Sequence, residues 1–419
     1  MEYIEIEGGI PLCKSVAIQG SKNVALPIFA ATLLIQGTCV IHNCPRIIDL
    51  LYMIQLLRGL GCEVVWLNQD TVLVNASCVN GIEVSDVYAK KMRSSVTLMG
   101  ALLARMGQAI LPYPGGCVIG DRPIDLHLFA LSKMGTICHE KDRRLFLEAT
   151  RLKGAHISFC TKSVGATQNA VLASVLAEGV TVIEGASIEP EVVSLCRFLN
   201  AAGARISGVG EEKIIIHGVK QLHEVEYVID ADRIVAGTYL FAICATKGSA
   251  VLQKAPVHQM GTVIDTVKKM GVRIHTETDQ ILVDATNGLK PLQDIKTSEY
   301  PGFPTDLQSC LLTTLCLAAG ESSITETIFE KRFRVVPELQ KMGAKISIEN
   351  HGRTALVCGI PHFVAADVTA KELRGGAALC IAALAADGVT RIYQRQYIER
   401  GYEDIARDLK CLGGMVRER

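Results

Sequence analysis

The stretch from Leu111 to His127 concentrates groups that could do chemistry. It reads Leu-Pro-Tyr-Pro-Gly-Gly-Cys-Val-Ile-Gly-Asp-Arg-Pro-Ile-Asp-Leu-His. Pro112 and Pro114 fix the backbone ahead of Gly115-Gly116, a pair that is free to take unusual dihedrals. Cys117 falls at the expected tip of the loop, and Arg122-Pro123 reads as a helix start. A thiol on a loop, followed closely by an arginine, suits an acid or a nucleophile beside an anionic substrate. In a chain with 15 cysteines the same thiol also reads as an incidental loop residue.

Other polar residues gather where helices are expected to begin. One set is Ser21-Lys22-Asn23, Met92-Arg93-Ser94, Lys162-Ser163-Val164-Gly165, Asp232-Arg233, Thr305-Asp306 and Glu372-Leu373-Arg374. A second set of helices is expected near Arg46, Arg122, Glu189, His258, Arg332 and Arg400. Ser163, Asp232 and Thr305 there are natural caps and need no further role. Cations are different, because the dipole disfavours them at a helix start. Lys22, Arg93, Arg122, Arg332, Arg374 and Arg400 all break that rule. Together they point to a shared cleft that receives a multiply charged anion.

The elements that must position these residues repeat along the chain. Gly61, Gly135, Gly203, Gly271, Gly343 and Gly413 each precede a short strand-like run. Gly37, Gly107, Gly179, Gly248, Gly320 and Gly388 each end an Ala/Leu-rich helix that runs into a strand. Both markers recur about every 70 residues, which gives six units. Each unit has an apolar helix (Val24–Ile35, Ala170–Ala177), a strand and a more polar helix (Ile47–Leu60, Val192–Asn200, Tyr402–Leu412). Short alternating strands such as Lys213–His217 and Gln280–Asp284 finish it. Six units divide into two α/β domains of three, 22–230 and 231–419, with residues 1–21 completing the second.

Composition bounds the rest. At 419 residues the chain exceeds one ordinary core. Apolar residues make up 49% but aromatics only 5%, so the cores must be aliphatic. A formal net charge of zero gives no reason to expect a nucleic-acid or membrane surface. The run Val24–Ile35 is too short to span a bilayer and contains Pro27. The cysteines show no Cys-x-x-Cys pair and no zinc spacing, so no metal is expected. The acidic N-terminus lacks a signal-peptide pattern, which with reduced thiols reads as cytoplasmic.

Several motifs resemble those of the UDP-N-acetylglucosamine 1-carboxyvinyltransferases, also called UDP-N-acetylglucosamine enolpyruvyl transferases. They are the segments Gln19–Pro27, Pro114–Pro123, Ser163–Thr167, Phe303–Asp306, Phe329–Phe333 and Arg400–Glu403. The likeness runs the length of the chain, in order. It implies two inside-out α/β barrel domains, each of three βαβαββ repeats, with the active site in the interdomain cleft. It also implies transfer of the enolpyruvyl group of phosphoenolpyruvate to the 3′-hydroxyl of UDP-N-acetylglucosamine, with loss of phosphate.

By this resemblance Lys22, Arg122 and Arg400 hold phosphoenolpyruvate, with Asn23 beside it and Arg332 and Arg374 supporting the closed site. Cys117 acts as an acid or assists product release, and is the expected target of fosfomycin. Asp306 accepts or orients the proton of the sugar hydroxyl. Arg93, Arg122, Pro123, Ile124, Asp125, Leu126, Ser163, Val164, Gly165 and Ile328 contact the UDP-sugar. Asp232, Glu330 and Glu372 support the cleft. No cofactor is implied. Ile48 stands where many members have lysine, Arg46 being a candidate replacement. Lys162 lies one residue past a lysine position that here is Thr161. Glu372 replaces a common aspartate, and Tyr397 a common histidine. The rival readings are 5-enolpyruvylshikimate-3-phosphate synthase, which shares the donor, and a catalytically silent UDP-sugar-binding paralogue.

Overall fold

The computed structural model describes residues 2–113, 120 and 123–419. Two compact units emerge, one containing residues 20–113 with 123–230, the other 2–19 with 231–419.

In the first unit three helices form the interior: Lys22–Thr32, Leu98–Met106 and Val164–Ser174. Their side chains are small or aliphatic on nearly every side, which is the pattern of a helix buried all round. Every residue of the third from Ala166 onward is buried. Pro27 sits inside the first helix and has no N–H to give to the carbonyl of Asn23. The partly exposed helices Ile48–Gly59, Asp125–Lys133 and Pro190–Ala201 follow in turn.

Three sheets close the unit. In one, Val225–Val228 runs parallel to Thr38–His42, and Val72–Asn75 and Glu63–Trp66 continue antiparallel. In another, His156–Ser158 runs parallel to Val180–Glu184, followed by Lys213–His217 and Arg205–Ser207 antiparallel. The third has Gln108–Pro112, Arg144–Glu148 and Ile137–Lys141, with a parallel bridge from Glu83 to Ile110.

The second unit repeats this plan. Helices Arg233–Ala245, Gln308–Leu315 and Leu373–Leu384 pack on one another at its centre, and all of the last two is buried. Ser15–Ala17 runs parallel to Ser249–Gln253, and Gln280–Asp284 and Arg273–Thr276 follow antiparallel. Ile295–Lys296, Glu321–Thr325, Thr354–Cys358 and Lys345–Glu349 are arranged in the same way. In the last sheet Tyr3–Glu7 lies between Val389–Tyr393 and Met415–Glu418, with Asp367–Thr369 parallel at the edge. The N-terminal residues therefore belong to the sheet built from the C-terminal ones.

The six glycines of the first repeat marker share one local cause. Gly61, Gly135, Gly203, Gly271, Gly343 and Gly413 all have φ between 87° and 104°, a left-handed turn that lets a helix reverse into a strand. The second marker is less uniform. Gly107, Gly179, Gly320 and Gly388 have positive φ, but ahead of Gly248 the left-handed residue is Lys247.

Two of the expected helix starts shift. Arg332 lies in a turn ahead of the helix Val336–Lys341, whose start is set by Pro337. Arg400 lies in a turn ahead of Ile405–Cys411, which Asp404 caps by accepting the Arg407 N–H at 2.7 Å. Neither arginine stands at a helix start, so the dipole does not act on them there. Tyr402, placed in that helix by its pattern, is buried ahead of it instead. Among the described residues the helix expected near Arg122 begins at Asp125.

Candidate active site

In the first unit, Lys22 opens its helix almost fully buried, with Nζ 2.6 Å from Oδ2 of Asp49. Asp49 sits in the first turn of Ile48–Gly59, where the helix dipole favours a carboxylate. This compensation lets a cation occupy a buried helix start. Asn23 follows, partly exposed. Arg46, the candidate replacement for the lysine expected at Ile48, is engaged within its own unit. Its guanidinium donates to the carbonyls of Gln69 and Asn68, both at 2.7 Å, and covers the Trp66 ring. Lys162 pairs with Glu212 at 2.6 Å.

A second group in this unit forms around Ser163. Its hydroxyl accepts the Ala166 N–H at 3.3 Å, so it is a cap, and Val164 and Gly165 form the first turn behind it. A side chain at Gly165 would meet the His127 ring at 2.9 Å. Asn169 holds that ring through Nδ1. Its carbonyl accepts the Gly100 N–H at 2.8 Å, which fixes the amide. Its NH2 then donates to the Val96 carbonyl and to His127 Nδ1, at 2.9 and 2.7 Å. Nδ1 is an acceptor in this arrangement, so the proton of the neutral ring resides on Nε2. Arg93 Nη2 donates to the Pro123 carbonyl at 3.4 Å. Pro123 and Asp125 are exposed, Leu126 is half-buried, and Ile124 is buried in the core.

In the second unit, one carboxylate organises two arginines. Asp306 Oδ1 accepts from Arg332 Nη2 at 2.9 Å and Oδ2 from Arg374 Nη2 at 2.7 Å. Both arginines are buried, while Asp306 is partly exposed. Burial by itself would lower the Arg374 pKa, but Asp306, Tyr402 and Asp232 together outweigh it and the guanidinium is held well above its ordinary value. Arg374 Nη1 is buried without a hydrogen-bond acceptor among the described residues. Arg332 also donates through Nε and Nη2 to the Thr305 carbonyl.

Glu372 caps its helix by accepting the N–H groups of Arg374 and Gly375. Asp232 caps Arg233–Ala245 through the N–H groups of Ile234 and Val235, at 2.8 and 3.1 Å. Glu330 accepts from Arg353 Nη2 at 3.3 Å. Arg400 and Tyr397 are both half-buried near the end of the last sheet. Cys117 and Arg122 lie outside the described residues. Among the described residues every cysteine is free, and burial pushes the thiols of Cys39, Cys62, Cys196, Cys310 and Cys316 up to about 12. Such thiols stay protonated and inert near neutral pH. No described group of three or more His, Cys, Asp or Glu residues could hold a metal.

Comparison with known proteins settles the lineage. A family model described as EPSP synthase (3-phosphoshikimate 1-carboxyvinyltransferase) matches residues 6–409. UDP-N-acetylglucosamine 1-carboxyvinyltransferase 2 of Caldanaerobacter subterraneus subsp. tengcongensis is 45% identical over 99% of each chain. The chain belongs to the UDP-N-acetylglucosamine 1-carboxyvinyltransferase family. It is an enzyme, a transferase. A second family member, UDP-N-acetylglucosamine 1-carboxyvinyltransferase 1 of Legionella pneumophila, is 42% identical over 99% of this chain and 82% of its own. The crystal structure of the enolpyruvyl transferase NikO from Streptomyces tendae superposes with a TM-score of 0.90 at 26% identity, over 100% of this chain and 98% of that one. EPSP synthase from Acinetobacter baumannii, covering 100% of both chains at 17% identity and a TM-score of 0.75, shares the fold. The fold class is thus the two-domain enolpyruvyl transferase α/β fold.

Sequence reasoning missed Asp49 and Asn169, and gave His127 no role. Only Asp49 left a local signal, an acid in the first turn of an expected helix.

Proposed function

We propose that this enzyme transfers the enolpyruvyl group of phosphoenolpyruvate to the 3′-hydroxyl of UDP-N-acetylglucosamine and releases phosphate. This would be the first committed step of peptidoglycan precursor synthesis. The observation that carries the reading is 45% identity, over 99% of both chains, to a relative of that name. The buried cations fit it. Phosphoenolpyruvate carries a phosphate and a carboxylate, and Lys22, Asn23, Arg122, Arg332, Arg374 and Arg400 are its proposed binding set. The unmatched Nη1 of Arg374 is a buried donor suited to such an anion.

The reaction must protonate C3 of the donor while the sugar oxygen attacks C2. The resulting tetrahedral ketal then loses phosphate from C2 and a proton from C3, which re-forms the double bond and leaves the enol ether product. Cys117 is the proposed acid or release group. Asp306 is the proposed acceptor or orienter of the hydroxyl proton, and Lys22 and Arg400 stabilise developing charge. The proposed UDP-sugar contacts are Arg93, Arg122 to Leu126, Ser163 to Gly165, Asp306 and Ile328. Arg93 and the Ser163 helix start offer donors to a diphosphate. Asp232, Glu330 and Glu372 are proposed supports of the cleft. No helix among the described residues is long and apolar enough to cross a membrane. We place the enzyme in the cytoplasm, where its thiols stay reduced.

The deciding experiment measures phosphate release from phosphoenolpyruvate with UDP-N-acetylglucosamine or with shikimate-3-phosphate. Release only with the UDP-sugar is expected. Release only with shikimate-3-phosphate would assign the sister activity. Binding of the UDP-sugar without release would mark a silent paralogue. Fosfomycin should add once to Cys117 in the intact-protein mass, and an unmodified mass would overturn that assignment.

A further inference from the structure

Glu326 is buried completely, yet it belongs to none of the groups assigned above. Its carboxylate reaches two segments. Oε2 accepts the Thr305 hydroxyl at 3.0 Å. Oε1 accepts the backbone N–H groups of Ile328 and Phe329, at 2.8 and 3.1 Å. Its own N–H is used in the chain, donating to the Arg353 carbonyl at 2.8 Å. A buried carboxylate is costly unless its oxygens are satisfied, and here three donors converge on it.

What those donors belong to gives the residue its meaning. Thr305 immediately precedes Asp306, and its carbonyl is gripped by Arg332 while its hydroxyl is gripped by Glu326. The backbone leading into Asp306 is therefore held at two points. Ile328, like Asp306, is a proposed contact to the UDP-sugar in this unit. One side chain thus fixes both the residue proposed to handle the sugar hydroxyl and a segment proposed to touch the sugar nucleotide. We propose that Glu326 is a positioning residue for the acceptor substrate, setting the separation of Asp306 and Ile328 without touching substrate itself. The proposal rests on the functional reading above.

A plain turn-capping role would account for the two backbone contacts alone. It does not require the Thr305 hydroxyl, and this difference can be measured. Wild type is first assayed for phosphate release with UDP-N-acetylglucosamine. Glu326→Ala strands two N–H groups and a hydroxyl, so KM for UDP-N-acetylglucosamine should rise about tenfold. Misplacing Asp306 should also lower kcat about tenfold or more. KM for phosphoenolpyruvate should stay within about threefold. Glu326→Gln keeps an acceptor for the N–H groups and should restore most of the loss. Thr305→Val keeps the turn cap but cuts the link to Asp306, and should lower kcat several-fold.

The proposal is overturned if Glu326→Ala leaves all constants near wild type, or raises both KM values alike. Should Glu326→Ala fail to fold, Thr305→Val decides, and unchanged kinetics there overturn it. A wild-type enzyme silent with both acceptors would sink the functional reading instead. Calorimetry with UDP-N-acetylglucosamine would then test Glu326, weaker binding by Glu326→Ala than by Glu326→Gln supporting it and equal binding overturning it.

Discussion

Lys22 Nζ lies 2.6 Å from Oδ2 of Asp49, with only 10% and 2% of the two side chains exposed. Breaking a buried pair by removing one partner costs about 3–5 kcal/mol, because the other charge stays buried. Asp49→Asn should therefore lower the thermal midpoint clearly. It should also raise KM for phosphoenolpyruvate more than KM for the UDP-sugar, because Lys22 loses its anchor. Adding Lys22→Met to Asp49→Leu should recover stability but not activity. An Asp49→Asn protein as stable as wild type would refute the account.

Asp306 poses a different problem, since two guanidinium groups share one carboxylate. Arg374 keeps its charge at every working pH. Arg374→Lys removes the planar fork but retains a cation. Removing one preorganised donor from a reacting centre costs about 100-fold to 1,000-fold in kcat. Arg374→Lys should fall near the lower end, with Arg374→Met below it. Initial-rate assays check this order, and a lysine variant equal to wild type would show that the fork geometry is irrelevant.

Gly165 tests the proposed UDP-sugar side. A methyl group there meets the His127 ring at 2.9 Å, and Asn169 leaves that ring little room to retreat. Gly165→Ala should shift the start of the helix Val164–Ser174 and weaken UDP-N-acetylglucosamine binding by about tenfold, a 1.4 kcal/mol effect. Asn169→Ala combined with Gly165→Ala should recover part of it by freeing the ring. Calorimetry reads both, and no recovery would mean that the collision is relieved elsewhere.

These relationships show where the sequence stops being informative. Gly61 and its five counterparts could be read because a left-handed turn is a local demand that one residue type meets. The strands Lys213–His217 and Gln280–Asp284 could be read because their alternation is local too. The helix starts were harder. Arg332 and Arg400 look like first-turn residues, but Pro337 and Asp404 set the true starts a few residues on. Partner choice was not readable at all. Asp49 meets Lys22, Asn169 meets His127 and Glu326 meets Thr305 only after separate segments fold together. The family motifs supplied the cations and carboxylates, but not the buried groups that hold them.

Glu338 gives a pH-dependent check on the second unit that is independent of chemistry. Its carboxylate is 3% exposed and accepts from Lys341 Nζ at 2.7 Å, Lys371 Nζ at 2.9 Å and the Thr369 N–H at 3.1 Å. Burial pushes its pKa up, but the hydrogen bonds from Lys341, Lys371 and Thr369, with the charge of Lys371, outweigh burial and the folded value is lowered. The unfolded value should sit near the ordinary 4.3 or so. A lowered folded pKa means that the unfolded state binds the proton more readily in acid. The stabilisation is therefore complete above about pH 4.3 and is lost as pH falls through the folded value. Glu338→Gln removes the charge and should cost about 1–3 kcal/mol at pH 7. Denaturant unfolding of both proteins should show that gap shrinking below about pH 4.3. A gap that stays constant or widens in acid would mean that these contacts do not favour the ionised carboxylate.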